Sequence, residues 1–186
     1  MGDMTLIIGN RNYSSWSLRA WLALRATGLR HEEVIVPLGR PETEAEILRH
    51  SPTARVPALT HGELLIWDSL AICEYLAELA PESGLWPTDS SVRAVARSMT
   101  AEMHSGFVPL RKHMPMNLRA SYPGEGREQG VEEDIQRIAA IWEQCRRDYG
   151  QGGDMLFGSF TIADAFFAPV VSRFRTYGVS LEGEAR

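Results

Sequence analysis

The chain has 186 residues, 44% hydrophobic and 23% charged, enough to bury a core as one large domain or two small ones. A formal charge of -5 without any Lys/Arg run leaves no footprint for nucleic acid or for an anionic membrane surface, and no apolar run reaches the length of a signal peptide or a membrane span, so a cytoplasmic protein is expected. Cys73 and Cys145 lie far apart, each within a helical pattern, and are expected reduced and buried rather than bridged.

In chain order, Thr5 to Gly9 (TLIIG) reads as a strand and Ser15 to Thr27 as a helix with Leu18, Trp21, Leu22 and Leu24 apolar and Gly28 placed to stop it. Glu33 to Val36 is a second strand and Glu42 to His50 a short charged helix. Pro57 to Thr60 and Leu64 to Trp67 form a hairpin around the turn His61-Gly62-Glu63. Asp68 to Ala80 is apolar on most sides and is expected to pack as a helix against the sheet. The order is βαβαββα.

In PESGLWPTDSS two prolines, a glycine and several Ser/Thr/Asp residues break all periodicity. The expected organisation is an α/β domain over 1–80, a linker over 81–90 and an all-helical domain over 91–186. Downstream, Ser91 to about Leu118, about Val131 to Tyr149, and Thr161 to about Tyr177 read as helices, separated by SYPGEGREQG and GQGGDMLFGS. GEGREQG has the wrong glycine spacing for a dinucleotide fingerprint and follows no strand.

There is no HExxH, CxxC, GxSxG or P-loop, and the five histidines lack metal-ligand spacing, so no metal is expected. Three local features remain: the serines of NYSSWSLR, the Val56-Pro57 step and Asp68-Ser69. Each has a plain structural reading, since Ser and Asp cap helices and Pro opens strands. Together they converge. In a βαβαββα sheet the first helix's N-terminus, the loop before the third strand and the last helix's N-terminus lie at neighbouring ends, and two of these are helix N-termini, which attract anions.

These residues resemble the glutathione transferases, and the resemblance covers nearly the whole chain. SPTARVPAL is similar to that family's loop leading to a cis-proline, WDSLAICEYLAE to its acidic-Ser motif, and FGSFTIADAFFAP to its buried helix-start motif, here a Thr161/Asp164 capping box. SSWSLR resembles the SSCxxR of the zeta and related Ser-type classes, with Trp16 in place of the cysteine. The resemblance implies an α/β thioredoxin-like N-terminal domain, an all-α second domain, a homodimer, and glutathione as co-substrate in the detoxification of a small electrophile. It implies that Val56 pairs its backbone with the cysteinyl unit beside a cis Pro57, that Ser69 binds the γ-glutamyl carboxylate, and that Asp68 helps to hold the neighbouring ammonium. Arg40 and Arg55 are basic candidates for the glycyl carboxylate. Ser14 is the candidate donor to the glutathione sulfur, with Ser15 and Ser17 assisting catalysis or merely capping the helix.

Three rivals stand beside this reading. The first is a glutathione-dependent maleylacetoacetate isomerase, the usual activity of zeta-like proteins. Trp16 counts against it, as does GFVPLRK, where Val108 and Lys112 replace two polar residues of the zeta-like GIQPLQN. The second is a non-catalytic binding protein of the same fold. The third, a serine hydrolase, lacks a nucleophile elbow. The electrophile is expected against helices around Met99 to Met116, a stripe that also reads as plain core. GVSLEGEAR resembles the start of a further helix that family members usually possess, implying a C-terminal truncation.

Overall fold

The computed structural model describes residues 3–181, which divide into two compact units after Ser83. The first runs β1 (Met4–Ile8), α1 (Ser15–Thr27), β2 (Glu32–Ile35), α2 (Thr43–Leu48), β3 (Ala58–His61), β4 (Leu64–Trp67) and α3 (Ser69–Leu79), followed by a 3-10 turn, Pro81–Ser83. The sheet order is β2-β1-β3-β4, with β1 parallel to β2 and antiparallel to β3, and β3 and β4 forming the hairpin. This is the expected thioredoxin-like arrangement.

Central β1 is covered on both faces, which is why it reads as a continuous apolar run instead of an alternating one. Ile7 packs with Val36, Ile47 and Ala58, while Leu6 and Ile8 are buried on the opposite face by strand alternation. α1 and α3 pack on each other through small and aliphatic residues, Ala20, Ala23 and Leu24 facing the same core as Ile72, Cys73 and Leu76. Gly28 ends α1 in the left-handed region, φ 70°, its N–H on the carbonyl of Arg25, a conformation that a Cβ disfavours. Strand limits differ from the sequence reading by one residue for chemical reasons: Gly9 gives its N–H to the Ser17 hydroxyl, and Pro57 has none to give.

The second unit comprises α4 (Ser90–Ser105), α5 (Val108–His113), α6 (Val131–Tyr149) and α7 (Ile162–Tyr177). The single helix expected over Ser91–Leu118 is instead two. Gly106 is extended, Phe107 takes a left-handed φ of 58°, and Pro109 can enter only the first turn of a new helix because it lacks an N–H and restricts its predecessor. α4 packs on α7 and α5 on α6. Met99, Met103, Met114 and Met116 are all buried, as are both cysteines, and the Cys145 Sγ lies 2.9 Å from the Met99 Sδ. Residues 182–186, where the further helix was expected, lie outside the described residues.

α7 begins at a capping box. Thr161 donates from both its N–H (2.8 Å) and its hydroxyl (2.9 Å) to Asp164 Oδ2, and Leu156 N–H donates to Oδ1 (2.9 Å). Burial pushes the Asp164 carboxyl above its ordinary range, and these donors pull it back. Asp164→Ala strands all three donors in a largely buried place, so a loss of about 2 to 3 kcal/mol is expected, lowering Tm by about 4 to 12 °C in a chain of this size. Thermal unfolding checks this, and an unchanged Tm would deny the box a folding role.

Candidate functional site

The β-ladder register assembles the three features at one end of the sheet. Ile7 pairs with Ala58 and Ala58 with Trp67, so Gly9 just after β1, Val56-Pro57 just before β3, and Asp68-Ser69 just after β4 leave the sheet on the same side. β2 runs parallel to β1 and leads toward Arg40, while Arg55 immediately precedes Val56. Both arginine side chains are exposed.

At the first junction the chain turns on Asn10, whose carbonyl accepts the N–H groups of Tyr13 (3.3 Å) and Ser14 (2.9 Å) while its side-chain oxygen accepts Leu38 N–H (2.7 Å). Ser14 occupies the N-cap position of α1 yet makes no side-chain cap bond. Its hydroxyl donates instead to Ser17 Oγ at 2.8 Å, and Ser17 Oγ also accepts Gly9 N–H at 3.0 Å. Ser14 and Ser17 are buried, and Ser15 is half-buried on the first turn. The backbone passes so close that a Cβ on Gly9 would lie 3.0 Å from Ser14 Oγ and 2.5 Å from Leu38 Cδ1.

At the second and third junctions, the Val56-Pro57 peptide is cis. Asp68 caps α3, its Oδ1 accepting Leu70 N–H at 2.8 Å and Ala71 N–H at 3.4 Å. Its φ of 75° with ψ of 134° is strained for a residue with a side chain, by about 1 to 3 kcal/mol, and such strain persists only where the surroundings impose it. The next residue is Ser69. Only 1% exposed, it has a buried hydroxyl with no hydrogen-bond partner among the described residues. An orphaned hydroxyl costs about 1 to 3 kcal/mol, which makes its position at a helix N-terminus a place for an acceptor to arrive.

Sequence reasoning passed over two neighbours. Arg19 is almost wholly buried, with its guanidinium carbon 4.4 Å from the centre of the Trp16 ring and its charge felt at Cys73. The signal was present in the i, i+3 spacing of a tryptophan and an arginine on a helix otherwise apolar at that face. Asn10 is the other, a brace between two loops that no spacing rule identifies. Cys73 is fully buried, and burial pushes its thiol well above the ordinary range, which disfavours the thiolate that a nucleophile needs. Among the described residues no group of His, Cys, Asp or Glu is arranged to hold a metal, and no helix is long and apolar enough to cross a membrane. The site therefore offers hydroxyl and backbone donors at two helix N-termini, suited to an extended ligand with an anionic end.

Comparison with known proteins agrees in both units. Residues 13–79 match the glutathione S-transferase N-terminal domain and residues 128–185 the glutathione S-transferase C-terminal domain. The chain is 34% identical over 194 residues to the maleylacetoacetate isomerase of Pseudomonas aeruginosa, covering 98% of this chain and 87% of that one. It is 27% identical to glutathione S-transferase Z2 of Arabidopsis thaliana, covering 91% of this chain and 77% of that one. Among solved structures it is similar to a glutathione transferase homologue from Burkholderia gl BGR1 with bound glutathione, at 25% identity and a TM-score of 0.71, covering 98% and 86% of the two chains. The chain belongs to the glutathione S-transferase family.

Proposed function

We propose that this protein is a glutathione transferase in which the Ser14 hydroxyl stabilises the glutathione thiolate for attack on a small electrophile. The observation that carries the reading is the buried Ser69 hydroxyl, unpartnered among the described residues, at the same end of the sheet as a Ser14 that sits at an N-cap without capping. Ser69 would receive the γ-glutamyl carboxylate, with Asp68 beside the ammonium. Val56 would pair through its N–H and C=O with the cysteinyl unit, Pro57 would hold that loop, and Arg40 or Arg55 would meet the glycyl carboxylate. Asp68 already serves as a cap, so its part in holding the ammonium is shared with that duty.

Bringing a thiol from a pKa of about 8.5 to about 6.5 requires roughly 2.7 kcal/mol. A hydrogen bond to a charged acceptor supplies about 1.5 to 3 kcal/mol and the α1 dipole about 0.3 to 1. The sums match without Ser14 losing its proton. The thiol proton leaves to solvent, the sulfur lone pair forms the new carbon–sulfur bond as the electrophile's leaving group departs with its bonding pair or its π pair moves to the neighbouring atom and is protonated by water, and Ser14 remains a neutral donor throughout. Ser15 stands on the same first turn as the alternative donor. Retention on immobilised glutathione followed by turnover of a panel of electrophiles tests the reading; binding without turnover of any would favour a non-catalytic binding protein.

A second reading, a glutathione-dependent isomerase, is favoured by the 34% identity to a protein of that name. Against it stand Trp16 and, on α5, Val108 and Lys112, both exposed. Turnover of maleylacetoacetate faster than of every electrophile would establish it. The proposed setting is the cytoplasm, with a homodimer as the working form. Edge strand β4 leaves Leu64 and Trp67 47% and 48% exposed, an apolar edge that a second copy would cover. Light scattering at micromolar concentration is expected to return twice the chain mass, and a monomer would overturn this part.

A further inference from the structure

Ser17 is 3% exposed and lies on α1 three residues beyond Ser14, so one helical turn places its hydroxyl beside that of Ser14. A serine hydroxyl has one proton and two acceptor positions. Both acceptor positions of Ser17 are filled, one by Gly9 N–H at 3.0 Å and the other by Ser14 O–H at 2.8 Å. The single proton of Ser14 is thus committed to Ser17. A Ser14 that donates to sulfur must first withdraw that proton.

We propose that Ser17 is a positioning residue that acts through Ser14 by reversing this hydrogen bond when a thiolate arrives. The inference rests on the assignment of Ser14 as the donor to glutathione sulfur. Ser14 O–H rotates from Ser17 to the sulfur, and Ser17 O–H rotates onto Ser14 Oγ. The oxygens stay where they are, and the 2.8 Å contact survives with its direction inverted. No proton leaves its oxygen and no covalent bond changes. Gly9 N–H keeps its acceptor, so the buried amide at the end of β1 is never stranded. The result is a chain from Gly9 N–H to Ser17 Oγ–H to Ser14 Oγ–H to the thiolate. Each donor polarises the next and strengthens the terminal bond. The packing keeps the chain in register, since Gly9 has no Cβ to press on Ser14 Oγ and the Asn10 carbonyl holds the Ser14 backbone.

The test is the ultraviolet absorbance of the bound glutathione thiolate against pH in wild type, Ser14→Ala, Ser17→Ala, Ser17→Thr and the Ser14→Ala/Ser17→Ala double variant. Ser17→Ala is expected to raise the bound thiol pKa by about 0.5 to 1 unit, leaving about threefold to tenfold less thiolate below the pKa. Ser17→Thr, which keeps the hydroxyl, is expected to restore the wild-type curve, and Ser17→Ala should add nothing in the Ser14→Ala background. Should Ser17→Ala fail to fold, Ser17→Cys keeps the bulk with a much weaker donor and serves in its place. A shift for Ser14→Ala without one for Ser17→Ala would overturn the relay and leave the proposed function standing. Equal Ser17→Ala shifts with and without Ser14 would also overturn it. If neither variant shifts the curve, the serine assignment itself is wrong and the relay falls with it.

Discussion

Ser14→Ala is expected to lower turnover about threefold to twenty-five-fold at pH 7, approaching tenfold to a hundredfold below pH 6, while glutathione still binds. Removing a hydrogen bond to a charged acceptor raises the bound thiol pKa by about 1 to 2 units, equivalent to about 1.4 to 2.7 kcal/mol. The pH dependence follows from the sign of that change. Below both pKa values the fraction of thiolate falls by the full ratio, and as pH rises through the variant's pKa the deficit closes, because hydroxide then ionises the thiol without the serine's help. The profile of kcat against pH should move to higher pH without losing its plateau. A variant whose plateau itself collapses would point to Ser14 acting in a different step. Ser15→Ala is the control, and a larger shift from it than from Ser14→Ala would transfer the role to Ser15.

Ser69→Ala is expected to raise the KM for glutathione about tenfold to a hundredfold with kcat little changed, as befits a charge-assisted hydrogen bond worth about 1.5 to 3 kcal/mol. The γ-glutamyl carboxylate is remote from the sulfur and is present equally in ground and transition states, so its loss removes uniform binding. The same substitution makes a prediction about the free protein. Ser69 Oγ is buried without a partner among the described residues, so its removal relieves an unsatisfied group, and the variant should melt no lower than wild type. Weaker binding together with unchanged or higher Tm distinguishes a binding hydroxyl from a structural one. A collapse of kcat with KM intact would refute the assignment.

Much of the fold was legible because its signals are local and repeated. The run TLIIG, the helical period ending at Gly28, the hairpin around Gly62 and the breakers of PESGLWPTDSS each act within a few residues, and the element order of the first unit follows from them. The helix break at Gly106-Phe107 was not legible, since a lone glycine is tolerated inside helices and only the combination with Pro109 and a left-handed Phe107 ends the turn. The meeting of the three candidate features at one end of the sheet could be read from topology. Their hydrogen bonds could not. That Ser14 addresses Ser17 rather than the helix backbone, that Asp68 takes a positive φ, and that Arg19 is buried against Trp16 depend on how α1 and α3 settle on the sheet. A sequence lists the donors and acceptors but does not pair them.

The most direct test of the central claim is the ionisation of the thiol in the wild-type glutathione complex, followed by thiolate absorbance against pH and compared with free glutathione. The α1 dipole and the Ser14 donor predict a bound thiol that ionises near pH 6.5, about 2 units below the free value of about 8.5. A complex that forms, yet whose thiol ionises at the free value, would contradict the account and leave the serines as parts of the α1 helix start.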